Sequence, residues 1–185
     1  MKRIVFLIIA SLLVIGLALP GCGAVQPEPV RYVFEDGKIN IGIVGELNCT
    51  AGAMQWTGAT LAQEVINGNG GVDIDGVSYV LELVPIETGE ETVDPTGLTG
   101  VSALTAAIDD VDFILGGFRT DAVEVYRDVA IEKGVIFINC GAATEALQHS
   151  VVDDYAAYRS WFKGTPYNEY FMGQSIVRIL GTVAA

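Results

Sequence analysis

Basic residues are scarce in this sequence. Its 185 residues include 10 lysines and arginines against 23 aspartates and glutamates, which gives a formal net charge of −13. A chain this acidic repels the phosphates of nucleic acid instead of neutralising them. Nucleic acid is therefore not expected as a partner.

Histidine and cysteine are also rare, with one histidine (His149) and three cysteines. There is no CxxC pair, so the usual residues of a zinc site are missing and no metal is expected. The sequence has no GxxxxGKS/T phosphate loop, no GxSxG elbow and no GxGxxG turn opening the first predicted helix. His149 is predicted to lie on the surface, and neither a catalytic residue nor a cofactor is predicted.

Acidic residues occur in adjacent pairs, which could in principle act as acid and base. These pairs are Asp109-Asp110, Asp153-Asp154 and Glu90-Glu91. They fall in predicted loops or helix ends, where solvated carboxylates are common. We therefore expect solvated surface groups and not an acid/base site.

The positive mean hydropathy of +0.44 has a local source at the N-terminus. Residues 4–19 form an apolar run that follows Lys2 and Arg3. A basic start, an apolar core and small residues after it are typical of a secretory signal. The run is somewhat short for a bilayer span, which needs about 20 apolar residues.

The residues that end this run, Leu19-Pro20-Gly21-Cys22, resemble the lipobox of prokaryotic lipoproteins. The resemblance implies cleavage of a signal peptide, residues 1–21, and a lipid on Cys22; an ordinary signal peptide or an uncleaved anchor helix is the alternative. Cleavage would remove two of the ten basic residues and no acidic residue, lowering the net charge from −13 to −15. Residues 22–37, with Pro27 and Pro29, read as a linker. We expect an acidic domain held outside the cytoplasm on the membrane.

Two cysteines remain, Cys49 and Cys140. A disulfide between them is allowed outside the cytoplasm. Two separate, half-buried thiols are the alternative, and the sequence leaves both open.

The chain beyond residue 37 alternates short apolar strands with amphipathic helices. Strands are predicted at 38–45, 79–86, 112–115 and 135–139, and helices at 54–67, after Asp94-Pro95, from Thr120 or Asp121 to 133, and at 144–149. This alternation predicts an α/β fold, a parallel sheet with helices on both faces. Ligands of such sheets bind beyond the carboxyl ends of the strands, which points to loops 46–52, 118–121 and 140–144.

These loops offer groups suited to recognition. Thr120 and Thr144 lie at predicted helix starts, where hydroxyls and free N–H groups can hold a carboxylate. Each threonine is also a simple helix cap. Arg119 could clamp an anion or pair with a nearby acid, and the sequence favours neither.

Several motifs in order carry a resemblance to a known family. They are Ile41–Gly45, Trp56–Ala59 with Ile66–Gly71, Leu115–Thr120, Ile138–Thr144, and Tyr158–Phe162 with Pro166–Asn168. Together they resemble the substrate-binding proteins of ABC transporters for branched-chain amino acids. Each motif alone is weak, and their order and spacing are what make the match specific.

The resemblance implies a two-lobed clamshell of the type 1 periplasmic-binding-protein kind that traps an amino acid or similar small polar ligand between its lobes. The predicted ligand-binding residues are Glu46, Asn48, Arg119, Thr120, Ala142, Ala143, Thr144 and Trp161. The implied partners are ABC permease subunits, with the lipid anchor on the membrane. The family's first-loop aromatic falls on or near Ala51, and Arg119 replaces a small or polar residue. Arg119 could therefore favour a more anionic ligand.

The resemblance also divides the chain, with an N-terminal lobe at 38–156 and the crossing plus first helix of a second lobe at 157–185. Since each lobe is a domain of ~100–150 residues, the sequence reads as a fragment of a longer protein. One alternative is a ligand-sensing domain of the same fold in a receptor. Another is an extracytoplasmic enzyme on a flavodoxin-like sheet, for which the sequence offers no nucleophile–base pair.

Overall fold

A computed structural model describes residues 34–165 and 168–183. The predicted signal segment, Cys22 and most of the predicted linker lie outside the described residues. The described part begins with a single 3-10 turn, Glu35–Gly37, which leads directly into the first strand.

Six strands and six α-helices follow in the described chain. The strands are β1 (Lys38–Gly45), β2 (Val72–Ile74), β3 (Val77–Glu87), β4 (Phe113–Gly116), β5 (Ile136–Asn139) and β6 (Trp161–Lys163). The helices are α1 (Thr50–Gly68), α2 (Leu98–Ala107), α3 (Thr120–Lys133), α4 (Ala146–Asp153), α5 (Tyr155–Tyr158) and α6 (Glu169–Val183). A 3-10 turn, Ile108–Asp110, extends α2.

The strands form one sheet in the order β2-β3-β1-β4-β5-β6. All neighbours are parallel except β2 and β3, which form an antiparallel hairpin at one edge. The predicted α/β fold is therefore confirmed, and the four predicted strands are all present. The prediction missed β2 and β6 because three residues are too few to show a hydrophobic period.

One face of the sheet holds the main core. Side chains alternate along a strand, so Ile114, Phe137 and Trp161, which are neighbours in the register, point to the same face. All three are buried in a single cluster with residues of α2 and α3 such as Leu104 and Tyr126. These two helices and α4, through Leu147, cover this face.

The other face is covered by α1 over only part of its width. Ile39 and Ile43 of β1 are buried there. The helix is tied to β3 by polar side chains, since Gln63 and Asn67 both donate to the Leu81 carbonyl at 2.9 Å. The predicted helix at 54–67 is amphipathic, but its apolar stripe (Met54, Leu61 and Val65) points away from the sheet, and these side chains are 71%, 62% and 54% exposed.

Beside α1, the described residues cover the same face only in part across β4, β5 and β6, where the Phe34 ring lies 6.0 Å from the Phe113 ring. Leu115, Ile138 and Phe162 are register neighbours, and none of them is buried. Phe113 and Ile136, a second neighbouring pair on this face, are only half-buried. Parallel sheets are normally covered on both faces. We refer to these five residues as the open apolar face.

The last described helix, α6, was predicted from Glu169 to Leu180 and runs to Val183. All its side chains are exposed, including Phe171, Ile176 and Leu180. Among residues 34–165 and 168–183, no helix combines the length and the apolarity that a membrane crossing requires.

Candidate ligand-binding edge

The carboxyl ends of β1, β3, β4 and β5 open into four loops along one edge of the sheet. Three of them, after β1, β4 and β5, were predicted as ligand loops. The fourth, residues 88–97, follows β3 and was missed. Its position was deducible because β3 is itself a parallel strand whose carboxyl end reaches the same edge.

Glu46, the first residue after β1, anchors this missed loop. Its carboxylate is buried and accepts the backbone N–H groups of Glu91 at 2.6 Å and Thr92 at 2.7 Å. The Thr92 hydroxyl also donates to it, and the Cys49 thiol does so at 3.1 Å. Burial alone would raise the pKa of Glu46, but these hydrogen bonds lower it to about 2. A carboxylate with four donors fills its usual acceptor capacity, so a direct ligand contact would have to displace one of them.

The two described cysteines are both free thiols. The bond to Glu46 and partial burial raise the pKa of the Cys49 thiol. Burial raises the pKa of Cys140, whose thiol lies 3.5 Å from the Ile138 carbonyl. Of the two alternatives that the sequence left open, the structure has separate thiols.

Glu90, in the missed loop, corrects the expectation that its acidic pair is solvated. Its side chain is fully buried. It accepts hydrogen bonds from the Phe118 N–H at 3.0 Å and from the Tyr126 hydroxyl at 2.9 Å. Burial raises its pKa, and these bonds offset that effect only in part. The Glu90 carboxyl is buried against partners on the next loop and on α3. These partners are distant in sequence, so no local sequence pattern reveals them.

The turn after β4 is built on Gly116 and Gly117, both at positive φ. A Cβ on Gly117 would lie 2.6 Å from the Tyr126 hydroxyl oxygen and 3.0 Å from Asn139 Nδ2. The same Asn139 amide donates to both glycine carbonyls at 3.0 Å. Only glycine fits this turn, which rests on buried polar groups.

The predicted residues Arg119 and Thr120 follow this turn at the start of α3. Arg119 is exposed and pairs with Asp121 at 3.3 Å, one of the two alternatives that its sequence position allowed. The Thr120 hydroxyl accepts the Ala143 N–H at 3.3 Å, which joins this loop to the loop after β5. The first N–H groups of a helix lack intrahelical partners, so this terminus suits an anion.

The predicted residues Ala142, Ala143 and Thr144 lie in that next loop. Ala142 is buried, and its carbonyl accepts a short hydrogen bond from Lys163 at the end of β6. Burial lowers the pKa of Lys163, an effect that Glu169 opposes. The Thr144 hydroxyl donates to the Glu169 carboxylate at 3.2 Å, so this loop is also tied to the start of α6.

The structure separates the remaining two predicted site residues. Asn48 is exposed in the loop after β1, on the same edge as Glu46. Trp161 is buried at the start of β6, two residues before the edge. Its ring lies 5.8 Å from the Arg127 guanidinium, which also covers the Tyr158 ring at 4.7 Å. Trp161 therefore belongs to the core, apart from Thr120 and Ala143.

The described edge offers hydroxyls, backbone amides and a helix terminus, groups suited to binding. His149 is exposed on α4, as predicted. Within the described residues, no group of three or more His, Cys, Asp or Glu side chains could hold a metal ion. Such groups can form hydrogen bonds with polar groups of a small ligand.

Known structures share this architecture. The chain resembles the branched-chain amino acid transporter substrate binding protein LivJ from Streptococcus pneumoniae, solved in complex with isoleucine. The TM-score is 0.56 and the identity 24%, over 71% of this chain and 34% of LivJ. This is the fold of a type 1 periplasmic-binding-protein lobe. The resemblance inferred from the sequence is confirmed at the level of the fold.

The chain also resembles an ABC transporter substrate-binding protein from Sphaerobacter thermophilus. The identity is 19%, over 60% of this chain and 28% of that chain, at a TM-score of 0.46. No family model matches the lobe, and no curated protein does. The lobe spans about a third of the length of the LivJ structure that it matches.

Proposed function

We propose that this chain is the first lobe of an extracytoplasmic, lipid-anchored substrate-binding protein of an ABC importer. The lobe binds an amino acid or a similar small polar ligand at the edge formed by the ends of β1, β3, β4 and β5, without catalysing a reaction. The single observation that carries the proposal is the shared fold with LivJ, whose structure contains isoleucine. The lipid anchor rests on the sequence around Cys22.

The polar groups at this edge support the proposal. The Thr120 hydroxyl and the N-terminus of α3 offer donors for a ligand carboxylate, and the backbone of Ala142 to Thr144 lies across from them. Arg119 is exposed beside Thr120 and bound only to Asp121 among the ion pairs described for the lobe. A ligand with a second carboxylate could exchange places with Asp121, which is why we include anionic amino acids among the candidates.

The open apolar face supports the view that the lobe is part of a longer protein. Leu115 and Ile138 are only half-buried and Phe162 is exposed on a parallel sheet, and apolar side chains of α1 are exposed on the same side. A further segment packed there would bury both surfaces. The second lobe would in turn close the ligand cleft over the edge.

The proposal is tested by titrating the 185-residue chain with isoleucine and, separately, with glutamate, monitored by two-dimensional NMR. With half of the cleft absent we expect weak binding, with shifts concentrated at the amides of Thr120, Ala143 and Thr144. Maltose serves as a control that should leave these amides unmoved. Sub-micromolar amino-acid affinity would contradict the half-cleft interpretation, and shifts confined to other regions would contradict the site. No shift with either amino acid would overturn the proposed ligand class.

A separate experiment tests the anchor. The chain expressed in a bacterium with radiolabelled palmitate should carry the label and fractionate with membranes. The Cys22→Ser variant should lose the label and keep the mass of the uncleaved chain. A labelled Cys22→Ser protein would show that the lipid is attached elsewhere.

A further inference from the structure

A buried carboxyl group lies under the proposed binding edge and is not used by any ligand contact. Glu90 is fully buried, and its hydrogen-bond partners belong to the next part of the edge. They are the backbone N–H groups of Phe118 and Arg119 in the turn after β4 and the Tyr126 hydroxyl on α3. Burying an acid without a basic partner is costly, so its hydrogen bonds must be well made.

Three buried groups converge on this turn from beneath. Glu90 holds the Phe118 N–H, the Tyr126 hydroxyl lies against Gly117, and Asn139 holds the carbonyls of Gly116 and Gly117. Each of the three supporting side chains is fully buried. The residues that the turn presents are accessible, since Phe118 and Arg119 are exposed and Thr120 is half-exposed.

In this arrangement, buried side chains hold the turn in place, and the accessible residues of the turn can contact a ligand. We propose that Glu90 is a positioning residue, which fixes the turn from Gly117 to Thr120 so that the Thr120 hydroxyl and the start of α3 face the ligand. The inference rests on the proposed function for the identity of the ligand, but the fixing of the turn is independent of it. Glu90 does not touch the ligand, and it acts through the Phe118 backbone and Tyr126.

The test compares amide hydrogen exchange, residue by residue, in the wild-type chain and three variants. Glu90→Ala removes the acceptor of the Phe118 N–H, while Glu90→Gln keeps a carbonyl of the same reach. Glu124→Ala, an exposed acid on α3, is the matched control. The Leu81 amide, which donates to Asn67 Oδ1 at 2.8 Å, reports on a distant part of the lobe.

We expect Glu90→Ala to speed exchange at Phe118 by at least about fivefold, because a buried donor left without its acceptor costs about 1–3 kcal/mol. Glu90→Gln should largely restore protection, and Leu81 should not change in either variant. Unchanged protection at Phe118 in Glu90→Ala, or equal acceleration at Leu81, would overturn the proposal. If Glu90→Ala fails to fold, Tyr126→Phe replaces it in the same experiment. We then expect faster exchange at Phe118, and unchanged exchange would overturn the proposal.

An isoleucine titration of the same proteins separates the two proposals. If the wild type binds, Glu90→Ala should weaken binding and Glu90→Gln should restore it. Equal affinity in all three would overturn the ligand-positioning role. If the wild type shows no isoleucine shifts, the amino-acid function fails, while the exchange rates at Phe118 still decide whether Glu90 fixes the turn.

Discussion

Replacing Tyr126 by phenylalanine removes a single buried oxygen from the lobe. The tyrosine is fully buried, its ring stacks on Phe137, and its hydroxyl donates to Glu90 at 2.9 Å. The ring contacts stay the same in the variant, so the hydrophobic contribution is nearly unchanged. What changes is that one oxygen of a buried carboxyl loses its donor.

The expected cost follows from that loss. A buried polar group left without a partner costs about 1–3 kcal/mol. We therefore expect Tyr126→Phe to lower the free energy of unfolding by about 2 kcal/mol. At about 2–4 °C per kcal/mol for a chain of this size, the melting temperature should fall by about 4–8 °C.

Urea unfolding followed by circular dichroism measures this loss, and the dependence on urea concentration should stay the same in both proteins. Tyr155→Phe, at a tyrosine that is 69% exposed, is the control and should lie within about 0.5 kcal/mol of the wild type. In a Glu90→Gln background the cost of Tyr126→Phe should fall to about 1 kcal/mol, because the hydrogen bond is then uncharged. A Tyr126→Phe variant as stable as the control would refute the reasoning.

Three further predictions concern the same edge and the packing of Arg127 near β6. The pKa of Glu46 is about 2 in the folded state against an ordinary 4.5, so the wild type should be more stable than Glu46→Gln above pH 4.5 and lose this advantage as the pH falls toward 2. For Glu90 the stability difference should change in the opposite direction. Its raised pKa makes the wild type lose stability relative to Glu90→Gln as the pH rises. Unfolding free energies at three pH values test both, and differences that do not change with pH would contradict them. Gly117→Ala should lower the free energy of unfolding more than Gly134→Ala, because both glycines have φ near +70° but only a Cβ on Gly117 would meet other atoms. Gly134→Ala should lose about 1–2 kcal/mol from the left-handed backbone alone. Equal losses in the two variants would argue against the close contact at Gly117. Arg127→Lys should speed amide exchange in β6, because lysine cannot reproduce the guanidinium contacts with Ser150 Oγ at 2.9 Å and with the Tyr158 ring. Exchange in β1 should not change, and equal effects on both strands would contradict a local role.

Much of the framework could be predicted from the sequence because its signals are local. The strand at 38–45 matches β1 at both ends, where an apolar β-branched run ends at a glycine. The end of α3 at Lys133 matches because Gly134 adopts the left-handed conformation that stops a helix. Local composition is enough to determine such features.

What could not be predicted depends on distant partners. The burial of Glu90 depends on Tyr126, 36 positions later, and the acidic pair with Glu91 suggested solvent instead. The apolar stripe of α1 suggested a buried face, yet the helix turns Gln63 and Asn67 to the sheet because their amides can bond the Leu81 carbonyl. For the site, Thr120 and Ala143 were expected on one edge and are joined there, while the place of Trp161 in the core was not foreseen.

The loops of the binding edge are joined in the order in which the chain presents them. Glu46 holds residues 91 and 92, Glu90 holds Phe118, Thr120 holds Ala143, and Thr144 meets Glu169. Each link closes a segment of about 25–45 residues, and none of them connects the first loop directly to the last. Because closing a shorter segment costs less chain entropy, each of these links costs less to close than one joining the first loop to the last would. The edge is thus held together from neighbour to neighbour, without a contact that spans its whole length among these links.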